Sequence, residues 1–223
     1  MKFNVEVIKS KKRKKTLCMA IVNRTVVVRA PLKTTNYDIK SFINQNTIWI
    51  KEHLKLIPLG KKYVDGEEFL LFGKKLKLKV IYANVKTIKI YTDGNFVVLV
   101  RKKNEKVVNI KKAFETFYKT NAREYITPLA QDLSEKLDKK INRIFIKRVN
   151  SIWGSCSNSQ NLNFNYKLAL APKKVVDYIV THEVCHLKHH NHKKEFWNLV
   201  ADFIPNYKQH EEWLKLNGNK LHI

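Results

Sequence analysis

Apolar residues in the first hundred positions recur mostly at every second residue. The runs FNVEVI (3–8), TLCMAIV (16–22), TVVVRA (25–30), KLKLKVIY (75–82), TIKIY (87–91) and FVVLVR (96–101) alternate or are β-branched, and turn-forming residues separate them. That period of two predicts strands. The tetrapeptide TDGN at 92–95 joins the last two runs through Asp93-Gly94, a strong hairpin signal. One helix is expected among these strands. Between residues 34 and 57, Ile39, Phe42, Ile43, Trp49 and Ile50 fall at roughly helical spacing, with Asn36 as the expected cap and Pro58 and Gly60 as the stop.

The period lengthens after Lys106. Val107, Ile110, Phe114, Phe117, Tyr118, Tyr125, Ile126, Leu129, Leu133 and Leu137 form a stripe at steps of three and four, which predicts a long amphipathic helix. Pro128 within it removes an amide donor and is expected to kink or divide it. INRIFIKRV (141–149) then reads as a strand, WGSCSNSQ (153–160) as a turn and NLNFNYKLAL (161–170) as the partner strand, and Pro172 opens the next helix. The fold class expected is α+β: a β-rich N-terminal half, then an active-site helix preceded by a short antiparallel sheet. The composition shift suggests two domains, a β-rich module with one helix over 1–105 and a second domain over 106–223.

That last helix contains the chemistry. VVDYIVTHEVCHLKHHNHKKEFW (175–197) puts five of the eight histidines into the eleven positions from His182 to His192. His182, Glu183 and His186 spell H-E-x-x-H. Residues four apart lie one turn above another on the same helical face, so both imidazoles reach one ion. Glu183 sits beside the first ligand, placed to hold a water rather than the ion. A third ligand comes from His189, His190, His192 or Glu195. On a straight helix, positions 189 and 190 would lie ~10–12 Å along the axis from His182, too far for Zn–N bonds of about 2.0–2.1 Å. The chain must therefore turn back, and Asn191 tolerates the left-handed backbone of a helix end. His192, just after it, is the expected third ligand. Glu195 is the weaker alternative, and His189 and His190 are expected to face solvent or support the ligands. Three neutral imidazoles leave a fourth position open, as in catalytic rather than structural zinc sites. Such sites bind several divalent ions, and zinc is the expectation.

Composition narrows the setting. Among 223 residues, 44 Lys and Arg stand against 19 Asp and Glu, a formal charge of +25. That excess favours acidic partners, although a lysine-rich surface also simply keeps a protein solvated. Basic runs at 9–15 (KSKKRKK) and 101–112 (RKKNEKVVNIKK) are the candidate nucleic-acid contacts. The cysteines Cys18, Cys156 and Cys185 match neither a disulfide framework nor a CxxC clip, and Cys156 and Cys185 are expected to be small buried fillers. No signal-peptide-like stretch follows Met1, and no run of about 18 apolar residues predicts a membrane span. A cytoplasmic protein is expected.

SIWGSCSNSQNLNFNYKLALAPKKVVDYIVTHEVCHLKHHNHKKEFW (151–197) resembles the YgjP-like metallopeptidase family, a zincin branch related in motif to SprT-type and Wss-type proteases. The shared words are W-G-S-C-S, an N-x-x-L strand, P..V.DY, HEL.HL and NH...FW. Looser likeness extends from KKRKKTLCMAIV to the closing IPNY and EEWLK. The resemblance implies a zincin-like minimal metallopeptidase domain, His182, His186 and His192 as ligands, Glu183 as general base, and a protein or peptide substrate. Ile152 and Lys193 depart from the family's usual Arg and Ser, which leaves the metal set intact. The metzincins share the histidine spacing but place a glycine where His189 stands and use a methionine turn. Here the only methionines are Met1 and Met19.

These residues predict amide hydrolysis by a metal-activated water, with Glu183 taking a proton and returning it to the leaving amine. NLNFN (161–165) could pair with an extended peptide, although Leu162 and Phe164 also fit ordinary core alternation. Tyr166, Tyr178 and Tyr207 are the candidate oxyanion donors, and Trp153 is expected in the core. Two other readings stand beside this one. A metal-dependent nucleotide phosphohydrolase would suit the basic charge but lacks any Gly-rich phosphate cradle. A nucleic-acid-associated binding protein, or a protease localised on DNA, would rest on the basic runs.

Overall fold

A computed structural model describes residues 3–22, 24–56, 60–149 and 152–223. It forms two compact units, Met1–Leu59 and Gly60–Ile223. The composition shift at 105/106 falls inside the second.

The first unit contains β1 (Asn4–Ser10), β2 (Cys18–Val22), β3 (Thr25–Pro31), α1 (Asn36–Gln45) and α2 (Thr47–Leu56). Its sheet has the order β1-β3-β2, with β1 parallel and β2 antiparallel to β3. Alternation turns Val26, Val28 and Ala30 to one side, where they pack with Ile39, Ile50 and Leu54. The expected single helix is two. Asn46 caps α1, its side chain donating to the Phe42 carbonyl at 2.8 Å, while the Thr47 hydroxyl donates to that of Ile43 at 3.1 Å. Such side-chain bonds compete with the helical ladder. The N-cap is Thr35 rather than Asn36, in a capping box with Asp38. The expected stop at Pro58 lies outside the described residues.

The second unit begins with β4 (Glu68–Leu71), β5 (Lys74–Tyr82), β6 (Lys89–Thr92) and β7 (Phe96–Arg101), in the order β4-β5-β7-β6. The expected hairpin is present: Asp93 Oδ1 accepts from the Asn95 and Phe96 amides, and Gly94 takes φ 94°. Phe69, Leu71, Leu76, Leu78, Val97 and Leu99 share one core with Ile110, Phe114 and Tyr118 of α3 (Val107–Lys136). The helix runs unbroken through Pro128. These strands and α3 therefore belong to one packed body, although the apolar period changes between them.

The rest of this unit is β8 (Arg143–Lys147), β9 (Gly154–Cys156), β10 (Asn161–Asn165), a 3-10 turn (Tyr166–Leu170), α4 (Lys173–Cys185), α5 (Lys194–Phe203) and α6 (Tyr207–Asn217). The second sheet has the order β8-β10-β9; β10 pairs with β8 as expected but in parallel, and its antiparallel partner is β9, so the expected antiparallel sheet is mixed. The segment expected to be only a turn thus supplies a strand. Val175, Val176, Ile179, Val180 and Val184 bury α4 on most of its circumference. Three contacts set its position. The Tyr125 hydroxyl donates to Asp177 at 2.8 Å, the Phe72 amide donates to the Ala169 carbonyl at 2.7 Å, and Gly73 packs on Pro172. At Gly73, φ is 79° and an added Cβ would lie 2.9 Å from Pro172 Cα, so a side chain is excluded there.

Candidate metal centre

The helix α4 ends where its chemistry begins. His182 and Glu183 sit in its last turn, and His186 is the C-cap, with φ −65° and ψ −18°. The chain leaves the helix well before Asn191, and Asn191 is not among the residues with positive φ. The expected left-handed bend is therefore corrected. A tight turn over 186–188 reverses the chain, and Asn191 Oδ1 accepts the Lys193 amide at 3.2 Å just before α5. That reversal brings His192 back over α4.

One ligand atom from each of His182, His186 and His192 lies within 4.8 Å of the other two, the one such set of three among the described residues. The Nε2 atoms of His182 and His192 are 3.1 Å apart. Two nitrogens bound tetrahedrally at 2.0–2.1 Å would be about 3.3 Å apart. A shared proton would satisfy two of the three imidazoles, and a divalent cation satisfies all three. The donor set thus fits such an ion, and the negative end of the helix dipole favours a cation there. Exposed Glu195 is not part of the set.

Each imidazole is held differently. The His186 Nδ1 lies 2.9 Å from the His189 carbonyl; a proton there makes Nδ1 the donor and leaves the Nε2 lone pair free. His189 therefore supports the site through its backbone, a contact that residue type cannot reveal. Phe196 stacks on the His186 ring at 4.5 Å and meets His182 edge-on at 4.9 Å. Trp197 closes on His182 and His192 with centroids at 5.7 and 5.6 Å. Phe196 is fully buried. His182 Nδ1 is buried with no hydrogen-bond partner among the described residues, so that ring is set by packing and by its Nε2 contact with His192. Burial, reinforced by His186 and His192, lowers the His182 pKa to about 3, and burial also lowers that of His186. Both rings are neutral donors at neutral pH.

Glu183 is 6% exposed, and burial raises its carboxyl pKa to about 8. Its neighbour across the site is Gly154 on β9. A Cβ there would stand 2.6 Å from both Cγ and Oε1 of Glu183, so the carboxylate occupies space that only glycine leaves open.

A model of the YgjP-like metallopeptidase domain matches residues 15–217. The chain belongs to the YgjP-like metallopeptidase family. It is accordingly a metal-dependent peptidase, and the match spans both compact units. Two solved structures resemble part of this YgjP-like protein. The metallopeptidase zymogen abylysin of Pyrococcus abyssi is 17% identical with a TM-score of 0.39, covering 44% of this chain and 99% of its own. The metallopeptidase zymogen jannalysin of Methanocaldococcus jannaschii is 25% identical with a TM-score of 0.36, covering 42% and 88%. Comparison with curated proteins finds no match.

Other expectations for the YgjP-like chain divide. Leu162 and Phe164 are fully buried, and β10 is the central strand with partners on both sides, so it offers no edge to a peptide. Tyr178 stands 6.0 Å from the His182 ring, and Tyr207 lies beyond it, stacked on Trp197 at 5.1 Å. Tyr166 is buried in the main core. Trp153 packs against that core and against Gly218. Cys185 is fully buried with its thiol pushed up to about 12, and half-buried Cys156 is pushed up to about 11, both mainly by burial. No helix among the described residues is long and apolar enough to cross a membrane.

Proposed function

We propose that the YgjP-like chain is a zinc peptidase in which His182, His186 and His192 hold the ion and Glu183 is the general base. The observation that supports the ligand assignment is the convergence of the three imidazoles within 4.8 Å. When bound, the ion supplies Lewis acidity, polarising the scissile carbonyl and lowering the pKa of a water. Glu183 accepts a proton from the attacking water at a carboxylate oxygen and returns it to the leaving nitrogen, so both partners of the amide bond are served by one side chain. Burial alone raises its carboxyl pKa to about 8, and the positive charge of a bound ion would favour the ionised form that accepts the proton. Gly154, lacking a Cβ, leaves the space that carboxylate occupies.

Substrate binding is assigned to the edge of β9. The Asn165 amide donates to the Trp153 carbonyl, and the Ser157 amide to that of Asn161. By antiparallel alternation the backbone groups of Gly154 and Cys156 point to the other side, where an extended peptide can pair with them. Tyr207 is the candidate oxyanion donor, being half-buried at the aromatic wall. Family membership sets this reading ahead of a nucleotide phosphohydrolase. The free thiols of Cys18, Cys156 and Cys185 fit a reducing, cytoplasmic setting.

The test is bound metal per chain in the parent and in His182→Ala, His186→Ala and His192→Ala, with hydrolysis of a casein-derived peptide pool. One zinc per parent chain, with weakened binding and lost cleavage in each variant, is expected. Stoichiometric tight metal in all three variants would refute the assignment.

A further inference from the structure

The four-stranded sheet of the second unit has an outer face that the peptidase chemistry does not use. Its inner face is made by Leu76, Leu78, Val97 and Leu99, which pack on α3. The residues between them must point outward, and the register orders them in three rows. Glu68, Lys77 and Phe96 form the first row, Lys79, Val98 and Tyr91 the second, and Ile81, Val100 and Lys89 the third. Val98 is 3% exposed yet lies outside the main core cluster, as expected of a residue roofed by its row neighbours.

The chemistry of this face is unusual for solvent. Tyr91 is 48% exposed, Phe96 39% and Ile81 38%. Tyr91 lies opposite Val98, two positions on from Phe96, so the two rings are diagonal neighbours on adjacent strands, ~7–8 Å apart at the backbone. Lys75, Lys77, Lys79 and Lys89 are exposed around them, and the one acid in the rows, Glu68, is paired with Lys75 at 3.6 Å. Flat π-faces within a ring of ammonium groups suit a partner that is both flat-faced and polyanionic. Duplex nucleic acid hides its base faces, and an acidic peptide has none to stack, so unpaired bases on a phosphate backbone are the chemical match.

We propose that this outer sheet face binds single-stranded nucleic acid, with Tyr91 and Phe96 stacking adjacent bases and Lys77, Lys79 and Lys89 holding the phosphates. The face is distinct from the basic runs at 9–15 and 101–112, and the proposal does not rest on the metal site.

The experiment is fluorescence-anisotropy binding of the full chain to labelled oligo-dT and oligo-U, with a duplex of equal length and inorganic polyphosphate as competitors. Both single strands are expected to bind, with the duplex and polyphosphate competing at least tenfold less well. Tyr91→Ala and Phe96→Ala should each weaken binding roughly tenfold, within the range seen for single stacking side chains. Tyr91→Phe should bind like the parent, because stacking does not need the hydroxyl. Lys79→Ala should lower the slope of log K against log salt by about 0.7. Peptide hydrolysis should be unchanged in Tyr91→Ala, which shows that the variant is folded and separates this proposal from the peptidase site. Parent-like affinity in the Tyr91→Ala, Phe96→Ala double variant would overturn the proposal. So would equal competition by polyphosphate, or loss of binding only when the lysines at 11, 12, 14 and 15 are replaced.

Discussion

Replacing Gly154 by alanine tests how the base is held. The new Cβ would lie 2.6 Å from Glu183 Cγ and Oε1, whereas ordinary contact begins near 3.4 Å, so one group must move by roughly 0.8 Å. β9 is held to β10 by backbone hydrogen bonds, with Asn165 donating to Trp153 at 2.9 Å and Ser157 to Asn161 at 3.0 Å. The carboxylate, at the end of a flexible side chain, is the part that yields. A misplacement of about 1 Å can cost ~10²-fold in rate, and that is the expected drop in kcat. Overpacking should also cost about 1–3 kcal/mol of stability. Metal content should stay near the parent value, because the strain falls on Glu183 and not on the imidazoles. The assay is steady-state cleavage of a quenched fluorescent peptide, with metal analysis of the same sample. In a Glu183→Ala background both contacting atoms are gone, so the stability cost of Gly154→Ala should be much smaller there. A kcat for Gly154→Ala within threefold of the parent, with metal retained, would refute the steric reasoning.

Other predictions follow from the same geometry. His192→Ala should weaken metal affinity strongly while Glu195→Ala leaves it unchanged, as measured by competition with a chromophoric chelator; the reverse order would move the third ligand to Glu195. Asp177 has its pKa raised, chiefly by burial and against the opposing Tyr125 hydrogen bond. A raised carboxyl pKa means the folded state binds the extra proton. Its contribution to stability is therefore present at acid pH and lost as pH rises through the folded value. Asp177→Asn keeps an acceptor for Tyr125, so its thermal midpoint relative to the parent should rise between pH 3 and pH 7; a pH-independent difference would contradict this. Cys185, fully buried with a raised thiol pKa, should react with a thiol reagent only after denaturation, in contrast to half-buried Cys18. Labelling of native Cys185 at the Cys18 rate would contradict its burial.

The site was more legible in the sequence than its surroundings. His182, Glu183 and His186 follow from local helical geometry, which needs no knowledge of the rest of the chain. His192 was reachable as a candidate because a straight helix cannot bring a third imidazole to the first two, and the three rings do converge, although the reversal uses the turn after His186 and not a left-handed Asn191. What stayed hidden depends on distant contacts. β9 is three residues long and exists through its pairing with β10, so WGSC looks like a turn when read alone. Gly154 matters because of a side chain 29 positions away, and His189 because of its carbonyl. NLNFN has strand periodicity, yet periodicity does not say whether a strand is central or at an edge. The break between α1 and α2 follows from hydrogen bonds by Asn46 and Thr47 that overrode a continuous apolar pattern.

The central claim is that a metal held by three histidines serves a base at Glu183. The most direct measurement is kcat and bound metal for Glu183→Gln on the same peptide substrate. The variant preserves side-chain volume and removes only the proton acceptor. It should retain stoichiometric metal while kcat falls by about 10²- to 10⁴-fold, the usual contribution of a general base. Parent-like turnover with metal bound would contradict the account.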